Sequence, residues 1–100
     1  MPNYIEPTEV MSPRRYWTLL VVIDPGDADE MALCVGRWED EPCLGMRWNG
    51  TKANPLGNPQ SRGIPTWFII GGKNGRDYAN AIIESLSPEK KKIVRHFIPK

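Results

Sequence analysis

The hydrophobic pattern of this chain changes period once, and that change restricts the fold more than anything else in the sequence. Up to residue 70 the apolar residues come in short β-branched and aromatic runs broken by turn formers. From Arg76 onward they recur at helical spacing. The segment 16–23 (YWTLLVVI) predicts a strand buried on both faces. Asp24-Pro25-Gly26-Asp27 is a turn. Residues 30–38 predict a second strand and 43–48 a third, joined as a hairpin by the polar connection 39–42. That register sets Trp38 opposite Cys43 and brings Cys34 near Arg47. After the Asn49-Gly50 turn, residues 51–53 return briefly as a strand, and 64–70 (IPTWFII) form the next, with Pro65 near its start or on an edge.

In the helical part, Tyr78, Ala79, Ile82, Ile83 and Leu86 make one stripe, with Asn74 positioned to cap it. Pro88 disfavours helical geometry at Ser87, so the helix breaks there. A second helix then starts with Ser87 as its cap, Pro88 in its first position and Glu89 in its first turn. Its apolar face is Ile93, Val94 and Phe97. The predicted fold is α+β: a bent antiparallel sheet of four or five short strands, SH3-like or a partly open small barrel, followed by two C-terminal helices. One hundred residues suffice for one domain. Pro2, Pro7 and Pro13 mark residues 1–13 as an extended arm, leaving 14–100 as a single α+β domain.

The loop 49–63 is long for a compact domain and carries two prolines, three glycines and three asparagines. Such a loop, flanked by Trp48 and Trp67, either binds a ligand or packs on itself. Charge singles out the same region. Net charge is +1, but no acidic residue lies between Glu41 and Asp77, where Arg47, Lys52, Arg62, Lys73 and Arg76 all fall. Acid-free, glycine-rich backbone suits an anion. Arg62 brings a planar fork for phosphate or carboxylate, with Ser61 beside it. Residues 71–75 (GGKNG) stand where a strand meets a helix, yet match neither a Walker loop nor GxGxxG. Lys90, Lys91, Lys92 and Arg95 form a solvated helix face.

Cys34 and Cys43 are not spaced as a metal pair, and His96 is the sole histidine. Both lie in apolar runs, which predicts reduced, buried thiols and a cytoplasmic protein. The longest apolar run, 19–23, is far too short to span a membrane. Ser61, Ser85, Ser87 and the cysteines have no evident histidine partner, so the expectation is a non-enzymatic protein without cofactor or metal.

The run LGMRWNG followed by PLGNPQSRGIPTWFII resembles a group of small bacterial proteins of unassigned function with an Arg-Trp-Asn-Gly turn, a Pro-Ser-Arg-Gly loop and a Pro-x-Trp-Phe strand. The resemblance covers residues 44–70. It implies a bacterial, cytoplasmic origin and carries no activity with it.

Two functions follow from the residues. The first is a binding module that recognises an anionic partner, above all nucleic acid, through the acid-free face 47–76. Its candidate contacts are Arg47, Trp48, Asn49, Lys52, Ser61, Arg62, Trp67 and Lys73. The second is an adaptor or regulatory subunit presenting tryptophan and loop residues to a protein partner. The oligomeric state is left open.

Overall fold

A computed structural model describes residues 3–100. Its main body is an open four-stranded antiparallel sheet followed by two helices, so the α+β expectation holds while the barrel does not: the sheet does not close. The strands are β1 (Trp17–Asp24), β2 (Met31–Trp38), β3 (Glu41–Trp48) and β6 (Phe68–Ile70), in the order β1-β2-β3-β6. A separate two-stranded hairpin is formed by β4 (Gln60–Ser61) and β5 (Ile64–Pro65). The run read as one strand over 64–70 is therefore split, with Thr66 and Trp67 between its halves. Residues 51–53 form a turn and no strand: Thr51 and Asn54 exchange backbone hydrogen bonds at 3.1 and 3.2 Å.

The β2–β3 hairpin is tighter than expected. Trp38 pairs with Glu41, leaving only Glu39 and Asp40 in the turn, with Glu39 at φ 55°. Cys34 consequently faces Gly45, and Cys43 faces Gly36. Both cysteines then sit on one sheet face in one core cluster, displaced from each other along the register, as free thiols. The discrepancy with the predicted register arises because Glu39 accepts a left-handed backbone, which lets Glu41 and Pro42 join the strand.

The sheet is covered on both faces. Ile23, Val35 and Leu44 pack against Ala79 and Ile83 and against Val94 and Ile98. These belong to or adjoin α1 (Gly72–Ile82) and α2 (Pro88–Phe97), which lie over β3 and β1 respectively. The opposite face buries Trp17, Ala32, Cys34, Cys43 and Trp67 beneath Val10 of the N-terminal arm. This explains why the β1 run is apolar without strict alternation. Trp17 lies flat on the backbone at Gly36, where any Cβ would collide with its ring. The arm is packed rather than free. It makes a 3-10 turn at Pro7–Glu9, buries Pro7 and Val10, and is tied by Trp67 N–H to Ser12 O at 3.0 Å. The first two residues of the predicted 1–13 arm lie outside the described residues.

α1 starts at Gly72, well before the stripe opens at Tyr78, after a glycine N-cap (Gly71) with no side-chain cap, so Asn74 lies inside the helix. The chain leaves α1 through a 3-10 turn at Ile83–Ser85, and α2 begins as predicted: Ser87 Oγ accepts the Lys90 N–H at 3.4 Å, with Pro88 first in the helix. No described helix is long and apolar enough to cross a membrane.

Candidate functional site

Alternation along β3 decides the fate of its candidate residues. Cys43, Gly45 and Arg47 share the face under the N-terminal arm, and Leu44, Met46 and Trp48 share the helix face. Arg47 is therefore turned inward and is 1 % exposed. Its Nη1 donates to Thr66 O at 2.7 Å and its Nη2 to Leu56 O. Among the described residues its Nε has no partner and no carboxylate pairs with it. Burial lowers its pKa from the usual arginine value. The guanidinium acts as a strut that ties the loop 49–63 to the start of β6. Gly57, at φ 64°, lets the loop backbone approach this group; a Cβ there would come within 2.7 Å of Nη2.

Asn49 is a second strut, 2 % exposed. Its Nδ2 donates to Pro25 O at 2.6 Å and Asp27 O at 3.0 Å, holding the β1–β2 turn against the end of β3. Trp67 is also buried, and its Nε1–H donates to Val10 O at 2.6 Å. Three of the eight candidates thus hold the fold from inside. The loop itself is closed by the Trp48–Asn58 backbone pair at 2.7 and 3.1 Å and by Gln60 Nε2 to Gly57 O at 2.8 Å.

The other five candidates are exposed and lie on separate elements. Ser61 and Arg62 occupy the β4–β5 hairpin, with Arg62 (φ 52°) and Gly63 (φ 77°) at its tip. Lys52 lies on the 51–54 turn. Lys73 stands beyond the opposite end of β6 from Arg62 and is paired with Asp77 at 2.5 Å. Of the predicted cationic residues, Arg47 is thus buried and Lys73 is paired with Asp77. Trp48 is the remaining one, and it is 49 % exposed.

What Trp48 joins is an apolar strip. The register stacks three cross-strand rows on the helix face: Val35–Leu44–Ile70, Leu33–Met46–Phe68 and Met31–Trp48. The helices bury the first row, with Val35 and Leu44 fully covered. They cover the second row only in part, since Leu33 still packs against that core, and they leave the third row open. Phe68 is 63 % exposed and Met31 is at the sheet surface beside Trp48. Met31, Met46, Trp48, Phe68 and Ile70 line a cavity of about 340 Å³. On the far side of Trp48 a polar cavity of about 260 Å³ is lined by Asp29, Asn49, Thr51, Asn54 and Asn58. Met31, Met46 and Phe68 were not among the candidates; Met46 shares a strand, and so a readable alternation phase, with Trp48, whereas Met31 and Phe68 join them only through the register.

A further cavity, about 540 Å³, lies beside Cys43, Trp38 and Ile69 on the other face. Cys43 Sγ donates to Glu41 O at 3.4 Å, and burial raises the pKa of both thiols. They are therefore held protonated and make poor nucleophiles. Comparison with protein-family models, with curated proteins and with solved structures finds no match.

Proposed function

We propose that this chain is a small protein-binding module that seats one helical segment of a partner protein on the strip of Met31, Met46, Trp48 and Phe68. The observation that carries this is the exposure of Phe68 beside Met46 and Trp48 on a sheet face whose neighbouring Val35–Leu44 pair is sealed by α1 and α2. Successive rows on a strand face are about 7 Å apart. The Met46–Phe68 part of the second row together with the Met31–Trp48 row makes a strip about as wide as one helix, roughly 10 Å. A helix laid there extends the existing helical layer over the bare end of the sheet. Two buried free thiols support a reducing, cytoplasmic setting.

Recognition of nucleic acid draws support from the exposed Lys52 and Arg62. It loses support from the inward Arg47 and the Lys73–Asp77 pair, and the adaptor reading is preferred. A display library of helical peptides panned on the wild type and on Phe68→Asp tests it. The expected result is a consensus of apolar anchors at i, i+3 or i+4, and i+7 that disappears with Phe68→Asp. Equal enrichment on both proteins overturns the proposal. A concentration-dependent dimer dissolved by Phe68→Asp assigns the strip to a second copy instead. Salt-sensitive oligonucleotide binding that Arg62→Ala weakens and Phe68→Asp spares would turn the assignment to nucleic acid.

A further inference from the structure

Resting on that docking reading, we infer that the partner helix is basic, and that it places one Lys or Arg side chain in the polar cavity on the far side of Trp48.

The β1–β2 turn carries Asp24, Asp27, Asp29 and Glu30, all exposed. None forms an ion pair among the described residues, where the pairs are Lys73–Asp77 and Lys91–Glu84. Asp24 Oδ1 accepts the Gly26 N–H at 3.2 Å and Glu30 Oε1 accepts the Asp27 N–H at 2.7 Å, so these two shape the turn. The carboxylates of Asp27 and Asp29 have no donor among the described residues. Along the chain the nearby cations are Lys52, beside the cavity-lining Thr51, and the buried Arg47, so the four acidic residues of the turn outnumber the cations at this end of the sheet.

The turn is held in a fixed place against the apolar strip. Asn49 grips it through Pro25 O and Asp27 O, Asn49 N–H donates to Glu30 O at 2.8 Å, and Asp29 N–H donates to Gly50 O at 3.2 Å. Met31, next after Glu30, pairs with Trp48. The acidic turn and the strip are thus one continuous surface with Trp48 at the seam.

A second observation points to a donor at this spot. Asn49 spends both Nδ2 hydrogens on the turn carbonyls, and its buried Oδ1 has no hydrogen-bond partner among the described residues. Asn49 and Asp29 line the same cavity. The Asp29 carboxylate, the exposed amides of Asn54 and Asn58, the Thr51 hydroxyl and the indole of Trp48 make a site for a cation carried on an apolar stem, with the sealed, unpaired Asn49 Oδ1 adding the negative end of its dipole from beneath. The ammonium or guanidinium finds acceptors, and the stem lies along the indole. Anchoring the apolar stripe on Phe68 and Met46 brings the flanking residue of a helix over Trp48 toward Asp29. Charge then selects among partners that all satisfy the groove.

The test uses two labelled 14-residue peptides with identical leucine positions, one with lysine and one with glutamate on the polar face. Binding is read by fluorescence anisotropy at low and moderate salt. The wild type should bind the lysine peptide about tenfold or more tightly than the glutamate peptide, with the preference shrinking as salt rises. Asp29→Asn keeps the left-handed backbone that Asp29 adopts at φ 58°. It should weaken the lysine peptide about threefold, and Asp27→Asn combined with it about tenfold, with the glutamate peptide unaffected. Phe68→Asp should abolish binding of both. Equal binding of the two peptides, both lost with Phe68→Asp, overturns the basic preference and leaves the docking strip standing. Binding of neither peptide, or binding indifferent to Phe68→Asp, overturns both.

Discussion

Replacing Arg47 discriminates most sharply between a ligand-binding arginine and a structural one. Its guanidinium makes two hydrogen bonds, to Thr66 O and Leu56 O, from an almost fully covered position. Hydrogen bonds to a charged group are worth about 1.5–3 kcal/mol each, a gross loss of roughly 3–6 kcal/mol on Arg47→Ala. Removing the buried charge returns part of this, because holding an ion out of water costs several kcal/mol. Working against that relief, the two carbonyls lose their donor and the vacated volume loosens the loop. The expected net loss is about 3–5 kcal/mol, a large share of the roughly 5–15 kcal/mol that stabilises a domain. Arg47→Lys should cost about 1.5–3 kcal/mol, because one ammonium does not reproduce the planar fork that serves two carbonyls. Arg62→Ala, at an exposed hairpin tip, should stay within about 0.5 kcal/mol. Urea titrations followed by tryptophan fluorescence measure all three. A loss below about 1 kcal/mol for Arg47→Ala, or an equal loss for Arg62→Ala, would refute the strut.

Asn49→Ala should destabilise by about 1–3 kcal/mol through the two turn carbonyls it leaves unpaired, and amide hydrogen exchange across residues 24–30 should speed up before the rest of the sheet. Deleting residues 1–12 strips Val10 from Trp17 and Trp67 and removes the acceptor of the Trp67 indole N–H. The result should be a red-shifted tryptophan emission and a lower Tm. The raised pKa values of Cys34 and Cys43 fix a sign for alkaline stability. Unfolded thiols ionise first, near pH 8.5, so the thiol contribution is complete below that pH and is lost as pH rises above it. The slope is up to about 1.4 kcal/mol per pH unit for each cysteine. Comparing urea midpoints of wild type and a Cys34→Ala/Cys43→Ala double variant between pH 7 and 10 isolates that part, and identical pH profiles would contradict it. Alkylation in denaturant without reductant should label both thiols.

Local chemistry was sufficient for the strands 16–23, 30–38 and 43–48, the break at Ser87 with Pro88, and the α+β class. Each depends on period, β-branching or a cap within a few residues, and these act before any long-range contact forms. The hairpin was legible too, but its register was not. It turned on whether Glu39 would adopt a positive φ, which depends on the strands that flank it. The candidate site was the least legible part, and Arg47 shows why. Its position in an acid-free window suggested an anion contact, yet its parity on β3 sends it to the face that the N-terminal arm and the loop carbonyls close over. Nothing in the sequence within reach of Arg47 states which face that is. The same limit hid the apolar strip. The alternation of Met46 and Trp48 was local information. How far α1 and α2 extend across the sheet is set by where Gly71 starts a helix and where Ala79, Ile83 and Val94 find Leu44 and Val35. Sequence by itself determined which side chains of one strand share a face, because backbone geometry alternates them. Tertiary packing alone decided which face was covered and where the cover ended, because burial depends on elements far away along the chain.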